Sequence, residues 1–491
     1  MKQDALAIVW FRNDLRITDN PALSAALDRY QKILPVYIHA PHEHAPWEPG
    51  EASNWWLHHS LDSLGQSLES TGSYLLLQKG NSLETLQTLI EKTGAKAVFW
   101  NRMYEPALIK RDAKIKKLFK VAGINCQSFN GQLLTEPHTI LNNSGSAFKV
   151  FSAYWRKTSR EIDSAQQLLP APQVISSPQL SDSSGLPGFT KSSSSLKQLE
   201  LLPEKNWYQG FYNHWEPGEQ GGRKSLINLI ENTLNAYKIN HDIPSISGTS
   251  RLSPHLHFGE VSAREVFSLC QQNSSVMNFP IADMEKFISE LGWREFAYYL
   301  MYHFPDSTNQ SLDQRFDLCG WVDESKQPEL LQQWQQGKTG IPIVDAGMRE
   351  LWQTGWMHNR VRMITASILT KNMGFHWISG ARWFWNTLVD ADLAANTLGW
   401  QWTAGCGVDA APYFRIFSPA RQTERFDADG TYIKHWLPEL QYADKHVLMH
   451  GLSEPNAKID YPTPIIDLAA SRQSALLRWD SIKNSHLTLA V

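Results

Sequence analysis

Hydrophobic residues follow two different rhythms along this chain, and the change of rhythm divides it. Over the first 135 residues, short apolar runs lie at Ala5–Phe11, Ile33–His39, Tyr74–Gln78, Ala95–Asn101 and Ile124–Phe129. Between them, Trp55–Leu68, Leu83–Ile90 and Ala107–Val121 place apolar residues three to four apart. Strands alternating with helices predict a doubly wound α/β domain on a parallel sheet. After Trp207 the helical spacing takes over, at Lys224–Tyr237, Ala263–Cys270, Ile281–Tyr302, Pro328–Gln336, Ile343–Thr354, Arg360–Met373 and Ala381–Leu388. The predicted order is an α/β domain over 1–135, a linker over 136–205 and a larger all-α domain over 206–485. Residues 164–204 are rich in Ser, Pro, Gln and Leu and suit a surface connector, with Ser176–Ser195 its flexible part.

Composition narrows the classes. With 46 basic and 49 acidic residues the net charge is -3, so any nucleic-acid contact must come from a local basic face. Cys126, Cys270, Cys319 and Cys406 are scattered without zinc spacing and read as free thiols of a reducing compartment. The opening MKQDALAIVWFRND does not read as a signal peptide, and no apolar stretch reaches the ~20 residues of a membrane span. The expectation is a cytoplasmic protein with no membrane partner. The first strand runs into Arg12-Asn13-Asp14-Leu15-Arg16, with no GxGxxG, which argues against a standard NAD site. Ten of the 20 tryptophans fall between Trp293 and Trp402, and each indole N–H needs a partner if buried.

Four segments of the helical part carry candidate chemistry. Gly248-Thr249-Ser250-Arg251-Leu252-Ser253 offers hydroxyls, backbone N–H groups and a guanidinium to an anion such as phosphate; the alternative is a plain helix cap at Thr249 or Ser253. Glu290, Trp293 and Arg294 fall on one helical face, either as a pocket rim or as an exposed ion pair. His358, Asn359, Arg360 and Arg362 crowd four polar groups into five residues, although His358 taken by itself reads first as a satisfied core histidine. Asp390 and Asp392 precede Asn396, Trp400 and Trp402. Two aspartates without further acidic partners make a poor metal site, and His58-His59 and His255/His257 lack companion ligands, so no metal is expected.

Together with Ala7–Asn20 (AIVWFRNDLRITDN) and Ala404–Phe417 (AGCGVDAAPYFRIF), these segments resemble the photolyase/cryptochrome family over nearly the whole chain. Its cyclobutane pyrimidine dimer photolyases are the most similar branch. The resemblance implies an antenna-binding α/β domain and a helical domain that holds a folded FAD. Tyr237, Thr249, Ser250, Arg251, Leu252 and Ser253 would contact FAD around its phosphates. Asp390 and Asp392 would hold its ribose and adenine side, Arg362 would bridge Asp390 to the flavin ring, and Asn396 would face flavin N5. Glu290, Trp293, Arg294, Asn359, Arg360, Met363, Trp402 and Gln422 would meet the lesion or its DNA, and Trp400, Trp377 and Trp321 would carry electrons between flavin and surface.

The implied activity is light-driven repair of UV-damaged DNA by a monomer; if Glu290 stays protonated in a dry pocket, it can stabilise charge on the dimer. The alternative is a cryptochrome-type blue-light photoreceptor. The resemblance favours repair, because plant cryptochromes carry Asp and animal ones Cys where this chain has Asn396. Asn359 and Met363 also match dimer photolyases, and the second His that (6-4) photolyases need beside His358 is Asn359 here. Tyr104-Glu105-Pro106 resembles the folate-type antenna region, although Ala107 and Leu108 replace the polar pair expected there. Methenyltetrahydrofolate is the expected antenna and a deazaflavin the other possibility.

Overall fold

The computed structural model describes residues 2–162, 167–178, 190–191, 196–276 and 280–483. Strands β1 (Gln3–Phe11), β2 (Tyr30–His39), β3 (Leu76–Lys79), β4 (Ala97–Asn101) and β5 (Asn125–Phe129) run parallel in the order β5-β4-β1-β2-β3. At the centre, Ile8 pairs with Leu34 on one side and Val98 on the other. Alternate residues of β1 face opposite layers, as a strand's period of two dictates. Ala7, Val9 and Phe11 pack toward Trp55 and Trp56 of the helix Glu51–Ser70, while Ile8 and Trp10 pack toward Leu86, Leu89 and Phe119. With both faces covered, the strand is a continuous apolar run.

The strand order reverses between β1 and β4, and such a reversal opens a crevice at the carboxyl ends of the strands. The segment after β1 does not cradle a dinucleotide there. Instead it docks the two halves of the molecule. The buried Arg16 guanidinium donates to the carbonyls of Asp19, Gly131 and Gly259, and Leu15 N–H donates to the Phe258 carbonyl.

The stretch between the halves is more ordered than its composition suggests. Phe151–Glu161 is a helix, Ile33 and Ile175 bond across to Ser176 and Thr71, and β6 (Thr190–Lys191) pairs antiparallel with β3. Of the expected flexible part Ser176–Ser195, residues 179–189 and 192–195 lie outside the described residues.

The remainder is helical. The expected helix Lys224–Tyr237 is divided into Glu219–Asn228, a π turn Leu229–Thr233 and Tyr237–Asn240, with Ala236 in the left-handed region at φ 67°. Likewise Arg360–Met373 becomes Asn359–Ser367 followed by a π turn Ile368–Asn372. A widened turn keeps the apolar spacing almost intact, so periodicity alone does not reveal it. Leu393–Ala404 is a helix with apolar residues around most of its girth, so it shows no one-sided stripe. No described helix is long and apolar enough to cross a membrane.

The second π turn brings Lys371 inside. Its ammonium donates to the Arg415 carbonyl at 2.9 Å and lies over the Tyr413 ring, and Arg478 caps the Lys371 carbonyl. Burial lowers Lys371 from 10.5 to about 7. Between those values the unfolded chain holds a proton that the folded chain lacks, so this group's contribution to stability is present above 10.5 and lost as pH falls through about 7. Denaturant titrations of wild type and Lys371→Met should show wild type gaining about 1–2 kcal/mol relative to the variant between roughly pH 6.5 and 8.5. A difference that stays flat would show that Lys371 keeps its ordinary proton affinity.

Candidate active site

Asp392 caps the helix Leu393–Ala404, which carries Asn396, Trp400 and Trp402. One carboxylate oxygen accepts from Ala395 N–H at 2.9 Å; the other accepts from the Tyr298 hydroxyl and lies 3.3 Å from His257 Nδ1. Burial pushes the Asp392 carboxyl up, but these bonds and the nearby charges outweigh it and hold the carboxyl below its usual range. Two residues earlier, Asp390 accepts from Arg362 at 2.9 and 3.1 Å and from the Ser253 hydroxyl at 2.7 Å. Ser253 is therefore not a helix cap; the cap position belongs to Leu252 and has no side-chain bond.

Arg251, held at φ 54°, stacks its guanidinium 3.7 Å from the centre of the Trp356 ring. It makes no hydrogen bond or ion pair among the described residues. A half-buried cation with the Glu350 and Asp390 carboxylates nearby but bonded to neither, close to Thr249, Ser250 and the Asp390–Arg362 pair, fits a diphosphate flanked by hydroxyl-bearing groups, as in FAD. His358 caps the helix Asn359–Ser367 through Nδ1, and burial lowers it to about 3, so it is a neutral structural histidine. Tyr237 is buried, and its hydroxyl is raised by burial and by the charges of Glu290 and Asp242. Asn396 spends its amide N–H on the Ala381 carbonyl at 3.0 Å.

Arg360 and Met363, on the same helix as Arg362, line a groove of about 510 Å³ with Trp402, Gln422, Arg415, Arg421 and Arg425. Asn359 is exposed at the start of its helix. Glu290 and Trp293 lie on the helix Ile281–His303. The Glu290 carboxylate is bonded to Lys286 as an ion pair and is about a third exposed, so it does not sit in a dry pocket. Trp293 stacks on Phe151 with ring centres 3.8 Å apart, and Trp155 fits against Gly292, whose added Cβ would lie 2.8 Å from the indole. Arg294 does not share this rim. It turns inward over the Tyr298 ring and donates to the Gln132 and Leu256 carbonyls, so the expectation that it meets the lesion is replaced by a buttressing position.

Sequence reasoning missed Phe151, Lys286, Asp242, Arg415, Arg421 and Arg425. The four-residue spacing of Lys286 and Glu290 was the one signal that could have revealed a pair.

Trp400 and Trp377 are buried, and Trp321 is half-buried. The Trp400 indole lies over Gly380, one helical turn from Trp377; a Cβ on Gly380 would sit 2.0 Å from it. The His376 ring contacts both Trp377 and Trp321, at 5.7 and 5.2 Å between centres. A second cavity, of about 320 Å³, occupies the crevice at the carboxyl ends of β1, β2 and β4. Trp10, Glu105, Trp47, Trp385 and His257 line it, and Trp10 Nε1, Ser53 Oγ and Glu105 Oε2 have no hydrogen-bond partner among the described residues. Ala107 lines this cavity, whereas Leu108 is buried in the core.

An α/β domain docked on a helical domain, with paired aspartates, a stacked unpaired arginine and a buried tryptophan path, defines a two-domain FAD-binding flavoprotein. A family model described as DNA photolyase matches residues 7–173, and one described as the FAD binding domain of DNA photolyase matches 287–481. The chain is 39% identical to a deoxyribodipyrimidine photo-lyase of Agrobacterium fabrum, over 98% of this chain and 99% of that one. It is 36% identical to cryptochrome-1 of Arabidopsis thaliana, over 94% of this chain and 68% of that one. The crystal structure of a bacterial class III photolyase from Agrobacterium tumefaciens superposes with a TM-score of 0.91 at 38% identity, covering 99% of each chain. An archaeal photolyase from Sulfolobus tokodaii, solved with two FAD molecules, gives 0.80 at 27% identity, covering 97% of this chain and 100% of that one. The chain belongs to the DNA photolyase family, whose members include cryptochromes.

Overpacking at Gly380 tests the tryptophan path. Gly380→Ala should cost about 1–3 kcal/mol of stability and slow photoreduction of the oxidised flavin, while repair by pre-reduced protein persists. Unchanged photoreduction kinetics would show that the position of Trp400 does not govern the path.

Proposed function

We propose that this chain splits cyclobutane pyrimidine dimers in UV-damaged DNA under blue light. The observation that carries the reading is the groove that places Met363, Trp402 and Gln422 among four arginines, with Arg360 and Met363 on the same helix as Arg362. FAD, bound reduced, supplies the light-driven chemistry: an electron passes to the dimer and returns once the ring has opened.

The chain's own residues bind and orient. Arg251, Thr249 and Ser250 would hold the phosphates, with Asp390, Asp392 and Arg362 on either side of them. Asn396, a neutral amide already committed to Ala381, has no acidic proton to give at the flavin edge. Trp402 offers the flipped dimer an aromatic wall, and Asn359 can present paired hydrogen bonds to a base edge. Trp293, backed by Phe151, forms a rigid wall on the Glu290 side. The cavity behind β1 and β4 would take a planar antenna chromophore whose N–H edge meets the free Glu105 oxygen, a requirement that either a folate or a deazaflavin meets. Similarity to plant cryptochromes supports a second reading, a photoreceptor with the same cofactor, which lacks the repair step.

Asn359→Ala should weaken binding of dimer-containing duplex by ~1–3 kcal/mol with FAD content and affinity for undamaged duplex unchanged. Equal losses on both DNAs would show that Asn359 does not read the lesion.

A further inference from the structure

The arginines of the groove differ in how their charges are satisfied. Arg415, Arg421 and Arg425 form no ion pair among the described residues. Arg360, the fourth arginine of the groove, and Lys286 are already neutralised from within the chain. Arg360 bonds Asp242 at 2.5 Å, while its guanidinium lies over the Phe426 ring and touches Met363. Lys286 bonds Glu290. The two pairs belong to one cluster: Lys286 and Arg360 both act on the Asp242 carboxylate, His241 Nε2 lies 3.6 Å from it, and both carboxylates act on Tyr237. Each charged side chain in these pairs stays between a fifth and a third exposed, so an incoming phosphate can reach it.

We infer that Asp242 is a specificity-determining residue, an internal counter-ion that withholds Arg360 from the phosphates of undamaged DNA. The inference deepens the reading of the groove as the lesion site and rests on it. A partly exposed pair of this kind is screened by solvent and weak, so it yields to a phosphate held in place by other contacts. Undamaged duplex, without a flipped dimer seated against Trp402, meets the free arginines alone and leaves Arg360 with its carboxylate. Damaged DNA brings its backbone deep enough to exchange phosphate for Asp242. Glu290 plays the same part toward Lys286.

Salt dependence counts the phosphates engaged, because each contact contributes ~0.9 to the slope of log affinity against log salt on duplex DNA. Removing the counter-ion should add one contact on undamaged DNA and none on damaged DNA. In Asp242→Asn, the slope for undamaged duplex should steepen by ~0.9 and its affinity rise several-fold. The slope for thymine-dimer duplex should stay the same, so that discrimination narrows. Arg360→Met in the Asp242→Asn background should abolish the added slope. Bound FAD, read from its absorbance, reports folding. If Asp242→Asn loses FAD, Arg360→Met alone reads the same contact: it should lower the slope for thymine-dimer duplex by ~0.9 and leave the slope for undamaged duplex unchanged, and equal losses on both overturn the inference.

An unchanged slope on undamaged DNA in a folded variant overturns the inference, as does a gain that persists in the double variant. A wild-type protein that binds dimer and undamaged duplex equally overturns the lesion-site reading itself, an outcome separate from either of these.

Discussion

A carboxylate removed from water must be repaid in hydrogen bonds, and the architecture of the site depends on how Asp392 meets that demand. One oxygen caps the helix Leu393–Ala404; the other meets Tyr298 from the helix Ile281–His303 and His257 from the short helix Ser253–His257. Removing any partner would leave charge stranded in the interior, so three elements have their relative positions set by one side chain. Asp390, two residues away, adds the helix of Arg362 and holds Ser253 at the other end of that short helix. The helix Leu393–Ala404 then delivers Asn396 to the Ala381 carbonyl, Trp400 to Gly380 and Trp402 to the arginine groove. Because His257 also lines the second cavity, one histidine links the Asp392 carboxylate to that cavity.

Much of this was legible in the chain, for reasons that are local. The five parallel strands follow from apolar runs long enough to be buried on both faces, whereas the Asp390–Arg362 pair was implied by the resemblance of their segments to the family, the residues alone leaving the partner of Asp390 open. What was hidden depends on side-chain direction and on contacts between distant segments. Arg294 shares a helical face with Trp293 by spacing, yet its long side chain bends inward to carbonyls at Gln132 and Leu256. Phe151 lies in a stretch whose polar neighbours read as linker, and only the fold stacks it on Trp293. The π turn at Ile368–Asn372 disturbs the apolar spacing too little to be read, yet it places Lys371 under the loop of Arg415.

The site thus separates its tasks by dielectric. Trp400, Trp377 and the two aspartates are buried, away from water, and Trp321 leads toward the surface. The groove that would meet DNA holds three arginines without ion pairs among the described residues and Arg360, which is paired with Asp242. The Ala404–Phe417 segment, anchored through Lys371 and the C-terminal helix, joins the two zones.

The central claim is that this arrangement repairs cyclobutane dimers with light. The direct measurement is recovery of intact thymines from a thymine-dimer oligonucleotide by the FAD-loaded, reduced protein under blue light, beside a dark control. The account predicts recovery that requires light and is absent in the dark. No recovery, with FAD bound, reduced and illuminated, would contradict it and leave the photoreceptor reading in its place.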